Sequence, residues 1–95
     1  MRQKLSIQTS DGETLDARWD NTRSPLGVVV FCHPHPLQGG SMMAPLMIAV
    51  TTRLVERGFS VLRFNFRGTG GSTGEHDEGA AEQFDVAAAV GEARG

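Results

Sequence analysis

The sequence predicts an α/β fold: an antiparallel hairpin, then a βαβ unit, then a final helix. Three observations carry that expectation. Apolar and polar residues alternate over positions 3–9 and again over 14–20, on either side of Asp11-Gly12. A continuous apolar run, Gly27-Val28-Val29-Val30-Phe31-Cys32, and a second strand-like stretch from Phe59 to Phe66 flank a segment whose apolar residues recur every three or four positions. A glycine-rich loop, Arg67 to Gly74, then leads into a last helical segment.

The first strand rests on Leu5 and Ile7 set among Lys4, Ser6 and Gln8, the period-two signature of a half-buried strand. Asp11-Gly12 reads as a tight hairpin turn. Alternation resumes from Thr14 to Asp20, with Leu15, Ala17 and Trp19 on one face. The β-branched run from Gly27 to Cys32 has the composition of a strand covered on both faces, as in a parallel sheet. It ends in His33-Pro34-His35-Pro36, where two prolines forbid both helix and ladder. Ser41 or Ala44 can cap the next helix, with Pro45 in its first turn. Met43, Leu46, Met47, Val50, Leu54 and Val55 give that helix one apolar face, and Gly58 suits a left-handed residue just past its end. Phe59 to Phe66 forms the parallel partner strand, and the last helix is expected from about Gly79 to Arg94.

Ninety-five residues allow one small domain. The formal charge of −2 excludes a strongly basic nucleic-acid binder or a polybasic membrane-surface protein. No apolar run approaches the roughly 18 residues that span a bilayer. The N-terminus has basic residues but no apolar core of a signal peptide, and Cys32 has no second cysteine to pair with. A cytoplasmic chain is expected. Six acids against Arg94 over residues 75–95 read as the solvated face of the last helix.

Three chemistries are legible in the motifs. Gly70-Gly71-Ser72-Thr73-Gly74 matches G-x-S-x-G, the pattern that throws a nucleophilic serine into a strained strand-to-helix turn. Here Arg67-Gly68-Thr69 separate it from the strand, and the only later histidine, His76, lies four residues on; the match is read as accidental. The same loop follows a strand and precedes a helix, so it could hold an anion on its backbone N–H groups. It carries neither G-x-G-x-x-G nor a Walker sequence. His33, His35, His76 and Asp77 could supply metal ligands, but their spacing is not diagnostic; no metal and no cofactor is expected.

Phe31-Cys32-His33-Pro34-His35-Pro36-Leu37-Gln38-Gly39-Gly40-Ser41-Met42 resembles the H-P-H-P-L-x-G-G-[ST]-M segment of a bacterial family of esterase-like serine hydrolases with the α/β-hydrolase fold. Arg63-Phe64-Asn65-Phe66-Arg67-Gly68-Thr69-Gly70-Gly71-Ser72-Thr73-Gly74 resembles its next landmark, R-F-N-F-R-G-x-G-x-S-x-G, with Asn65 where the wider superfamily has an acid. The resemblance runs from about Val28 to Val90. It implies the N-terminal half of a single α/β-hydrolase domain over residues 1–95, ending before the nucleophile elbow. It also implies a strand order of 1-2-4-3, with a fifth strand beside the third.

The resemblance further implies that the loop His33–Gly40 donates a backbone N–H to the oxyanion hole, the preorganised donors that stabilise a tetrahedral intermediate. Pro34 and Pro36 have no N–H, which leaves Leu37, preferred, and His35. His33, Gly39, Gly40, Arg67 and Ser72 are expected to support the loops. Nucleophile, acid and base are absent from the sequence, so the chain alone is expected to be inactive. In full-length form the expected activity is hydrolysis of a carboxylic ester or related acyl bond of a small-molecule substrate. Neither nucleic acid nor membrane is an expected partner, and self-association through an exposed Val28–Cys32 edge is expected. The alternatives are a noncatalytic βαβ module binding an anionic ligand at Gly68–Gly74, and a structural piece completed by another chain.

Overall fold

A computed structural model describes residues 2–33, 41–75 and 81–94. Six elements follow in order: β1 (Arg2–Gln8), β2 (Thr14–Asp20), β3 (Gly27–Cys32), α1 (Pro45–Glu56), β4 (Phe59–Phe64) and α2 (Glu82–Arg94). They form one four-stranded sheet in the order β1-β2-β4-β3. β1 and β2 are antiparallel from Arg2↔Asp20 to Gln8↔Thr14, β2 and β4 are antiparallel, and β3 and β4 are parallel from Gly27↔Phe59 to Cys32↔Phe64. This is the hairpin, βαβ unit and final helix expected from the pattern.

The hairpin connection is wider than a two-residue turn. Thr9 N–H donates to the Glu13 carbonyl at 2.9 Å and Gly12 N–H to the Thr9 carbonyl at 3.2 Å. Gly12 takes φ +97°, a left-handed value that glycine adopts without steric cost. The Thr9 hydroxyl accepts from Glu13 N–H at 2.8 Å and donates to Asp11 Oδ1 at 2.6 Å. That bond turns Asp11 back over the loop, where its carboxylate reaches Arg67.

α1 starts at Pro45, where a missing N–H costs nothing, and ends with Arg57 as its cap and Gly58 at φ +96°. Only Met47 and Thr51 of this helix are buried. Leu46, on the expected apolar face, is 71% exposed.

The main core lies on one side of the sheet. Ile7, Leu15, Ala17, Leu62, Phe64 and Ala89 form it, with Trp19, Val30, Phe66 and Val86 packed at its margin. Burying a side chain as completely as Leu62 or Phe64 contributes about 1.5–3 kcal/mol. Strand alternation sends Val61 and Arg63 to the opposite side, where Arg63 meets the carbonyl of Met42, just ahead of α1.

Two expectations about burial are corrected. The strand covered on both faces is β4, buried from Ser60 to Phe64, and not β3, where Val28 is 43% exposed and Cys32 lies open. Central position decides this: β4 has a strand on each side, whereas β3 forms the sheet edge. The acids of the last helix are not all solvated either, since Glu82 and Asp85 are buried. That helix spans Glu82–Arg94, and Gly79, its expected start, lies outside the described residues.

Candidate functional site

β3 and β4 run parallel, so their C-terminal ends finish side by side, and His33 and Phe66, just past them, meet there. In open α/β sheets this is the end at which ligands bind. His33, one residue past β3, is 5% exposed. Its Nε2 accepts the Phe66 N–H at 3.0 Å, and its ring meets Phe66 edge-on at 4.9 Å between centroids. The imidazole nitrogen uses its lone pair to accept this backbone N–H. The histidine is a brace between two strand ends.

On the far side of residues 34–40, Met42 is fully buried and both its backbone groups are taken by side chains of the β4 exit. Its N–H donates to Asn65 Oδ1 at 2.9 Å, and its carbonyl accepts from Arg63 Nη1 at 2.8 Å. Arg63 is itself buried, and its Nη2 reaches Asp20 Oδ2 at 3.1 Å. Asp20 Oδ1 also receives Arg2 Nε at 2.8 Å. A guanidinium without exposure is tolerable only with such partners.

Arg67 and Ser72 knit the following loop to its surroundings. Arg67 donates to Asp85 from its backbone N–H, Nε and Nη2, and to Asp11 from Nη1 at 2.7 Å and Nη2 at 3.0 Å. The Arg67 guanidinium first, and the Thr9 hydroxyl second, hold the Asp11 carboxyl at about 2, below its ordinary 3.8. The two carboxylates in turn push the arginine up, so it stays charged. The Ser72 hydroxyl donates to the Asn65 carbonyl at 2.6 Å and accepts the Asp16 N–H at 2.8 Å. Ser72 is 8% exposed, and none of its described partners is a base. It lacks what a nucleophilic serine needs.

The same loop spends several of its donors internally, which disfavours anion binding there. The N–H groups of Gly68, Thr69, Ser72 and Thr73 are spent on backbone carbonyls. Two carboxylates lie against the glycines: a Cβ on Gly71 would come within 2.9 Å of Asp16 Oδ2, and one on Gly74 within 2.7 Å of the Glu13 carboxyl carbon. Gly74 adopts φ +82°, a left-handed value that suits glycine, and the two carboxylates place negative charge where a phosphate would need donors.

Partial desolvation pushes the Cys32 thiol up, away from the thiolate that a nucleophile needs. Among the described residues no three His, Cys, Asp or Glu side chains come together to hold a metal. His35, Leu37, Gly39 and Gly40 lie outside the described residues, as do His76 and Asp77. The structure therefore brings His33, Arg67 and Ser72 to one end of the sheet as bracing groups. It adds Arg63, Asn65, Asp11 and Asp85, which sequence reasoning did not single out for a role. Asn65 stood out only as a departure from the wider motif.

No family model matches the chain. An uncharacterized protein of Rickettsia prowazekii (strain Madrid E) is 39% identical over 77 residues, which cover 80% of this chain and 32% of that protein. Among solved structures, a lidless α/β serine hydrolase from Xanthomonas campestris superposes with a TM-score of 0.88 at 32% identity, covering 98% of this chain and 44% of that one. An esterase of Pyrococcus furiosus gives 0.81 at 28% identity, covering 96% and 35%. The fold is that of the α/β-hydrolases. More narrowly, its structural neighbours are esterase-like serine hydrolases, and the chain spans less than half the length of these proteins.

Proposed function

We propose that this chain is the N-terminal part of a cytoplasmic serine hydrolase that cleaves a carboxylic ester or related acyl bond of a small molecule. In this reading the stretch after β3 supplies one backbone N–H to the oxyanion hole, from Leu37 in preference to His35. A serine nucleophile with its acid and histidine comes from outside these 95 residues. The observation that carries it is the double fastening of that stretch: His33 is tied to Phe66 on one side, and Met42 to Asn65 and Arg63 on the other. An oxyanion donor works by being held in place before charge develops, and flanking residues tied to a buried strand suit that task. The likeness to an esterase and to a lidless serine hydrolase supports the same reaction class. Alone, with the β3 edge uncovered, the chain self-associates.

The test is labelling by a fluorophosphonate, which reacts with an activated serine. Protein expressed from the full reading frame that contains this chain should be labelled and should hydrolyse a short-chain activated ester. An unlabelled, folded protein overturns the proposal.

A further inference from the structure

We propose that Asn65 is a positioning residue for that acyl transfer, acting through the backbone of Met42; this rests on the function proposed above. Asn65 is 3% exposed, one residue past β4, and its Oδ1 holds the Met42 N–H at 2.9 Å. Its backbone carbonyl accepts the Ser72 hydroxyl, and its own N–H donates to the Asp16 carbonyl at 2.9 Å. The residue is thus fixed by the hairpin and by the glycine-rich loop before its side chain reaches Met42. Gly70 completes the arrangement. At φ +52° it lies so close that a Cβ there would sit 2.6 Å from Asn65 Nδ2, and only glycine leaves room for the amide.

Arg63, two residues earlier, holds the other polar group of Met42, and Phe66, one residue later, holds His33. Three of the four residues from Arg63 to Phe66 therefore supply the fastenings on both sides of positions 34–40. A donor carried between fixed ends keeps its place only while both hold, and a misplacement of about 1 Å can cost about 10²-fold in rate. Asn65 meets this need through an acceptor oxygen, which an aspartate at the same position would also supply.

The experiment compares Asn65→Leu and Asn65→Asp in protein from the full reading frame. Leucine keeps the size and removes the acceptor. It should lower kcat by at least tenfold and up to about 10²-fold while leaving KM within about twofold, as expected when only transition-state stabilisation is lost. Aspartate keeps the oxygen and should restore most of the rate. Should the leucine variant not fold, replacing Met42 by its α-hydroxy acid counterpart deletes the same N–H with every side chain in place, and should lower kcat alike. The inference is overturned if a folded variant lacking this hydrogen bond stays within about threefold of the parent kcat, or if aspartate does no better than leucine. A parent that neither hydrolyses ester nor takes the fluorophosphonate overturns the proposed function and this inference together. An active parent indifferent to both changes overturns the inference alone.

Discussion

Arg67 and Asp85, 18 residues apart, meet through three hydrogen bonds: the carboxylate takes Nε and Nη2 on one oxygen and the Arg67 backbone N–H on the other, at 2.8–3.0 Å. Asp85 is fully buried and Arg67 is 4% exposed. The pair fastens the exit of β4 to α2, and the second pair, Arg67 to Asp11, fastens both to the hairpin loop.

Removing the buried carboxylate leaves a guanidinium and a backbone N–H without their partner. Breaking such a pair from one side costs about 3–5 kcal/mol. Asp85→Ala should lose stability in that range in urea titration, and Asp85→Asn, which keeps an acceptor oxygen, should lose less. A loss below about 1 kcal/mol for alanine would mean that water replaces the carboxylate at little cost.

Acid should release the other arm of the same clamp. The Asp11 carboxyl titrates near 2 in the folded chain and near 3.8 when free. Protonation therefore favours the unfolded state. The stabilisation is complete above the free value and is lost as pH falls from about 4 toward 2. Thermal midpoints of the wild type should drop across that interval, and Asp11→Asn should show a shallower drop. Parallel curves for the two proteins would remove Asp11 from the account.

Ser72 should matter for stability and not as a nucleophile. Ser72→Ala orphans the Asp16 N–H and one bond to the Asn65 carbonyl, at a cost of about 1–3 kcal/mol. The 95-residue chain should hydrolyse no activated ester above background. Turnover abolished by Ser72→Ala would restore this serine as a nucleophile.

β3 presents an open edge with Val28 exposed beside Leu26, which is 77% exposed. A domain of this size buries only about 60–65% of its unfolded surface. The chain should be marginally stable or associate with itself at micromolar concentration, and a lysine on the edge, Val28→Lys, should shift it toward monomer. Sedimentation measures this. A wild-type monomer with a sharp, high-temperature transition would contradict it.

Local signals were enough for the elements and their sequence. Pro45 and Gly58 bracket α1, and the β3 and β4 runs read as strands at once. Burial was less legible because it depends on neighbours distant in sequence. The Val28–Val30 run is more apolar than β4, yet β4 carries Arg63 and Ser60 into the interior because it pairs on both sides. Asp85 looked like one more acid on a wet helix, and only the fold reveals Arg67 beneath it. The fastening of Met42 was hidden for the same reason. Asn65 and Arg63 lie more than twenty residues away, and no local pattern pairs a side chain with a particular backbone group.

The central claim is that the stretch after β3 gives a backbone N–H to an oxyanion hole. The measurement that meets it most directly is kcat for a short-chain activated ester with Leu37→Ala and Leu37→Pro in protein from the full reading frame. Substrate-analogue binding and the thermal midpoint are followed alongside, since proline can distort a loop. Alanine keeps the N–H and should retain most of the rate. Proline removes it and should lower kcat by about 10²–10³ with analogue binding and folding preserved. A folded Leu37→Pro protein within a few-fold of the parent would contradict the assignment to Leu37 and turn the test to His35.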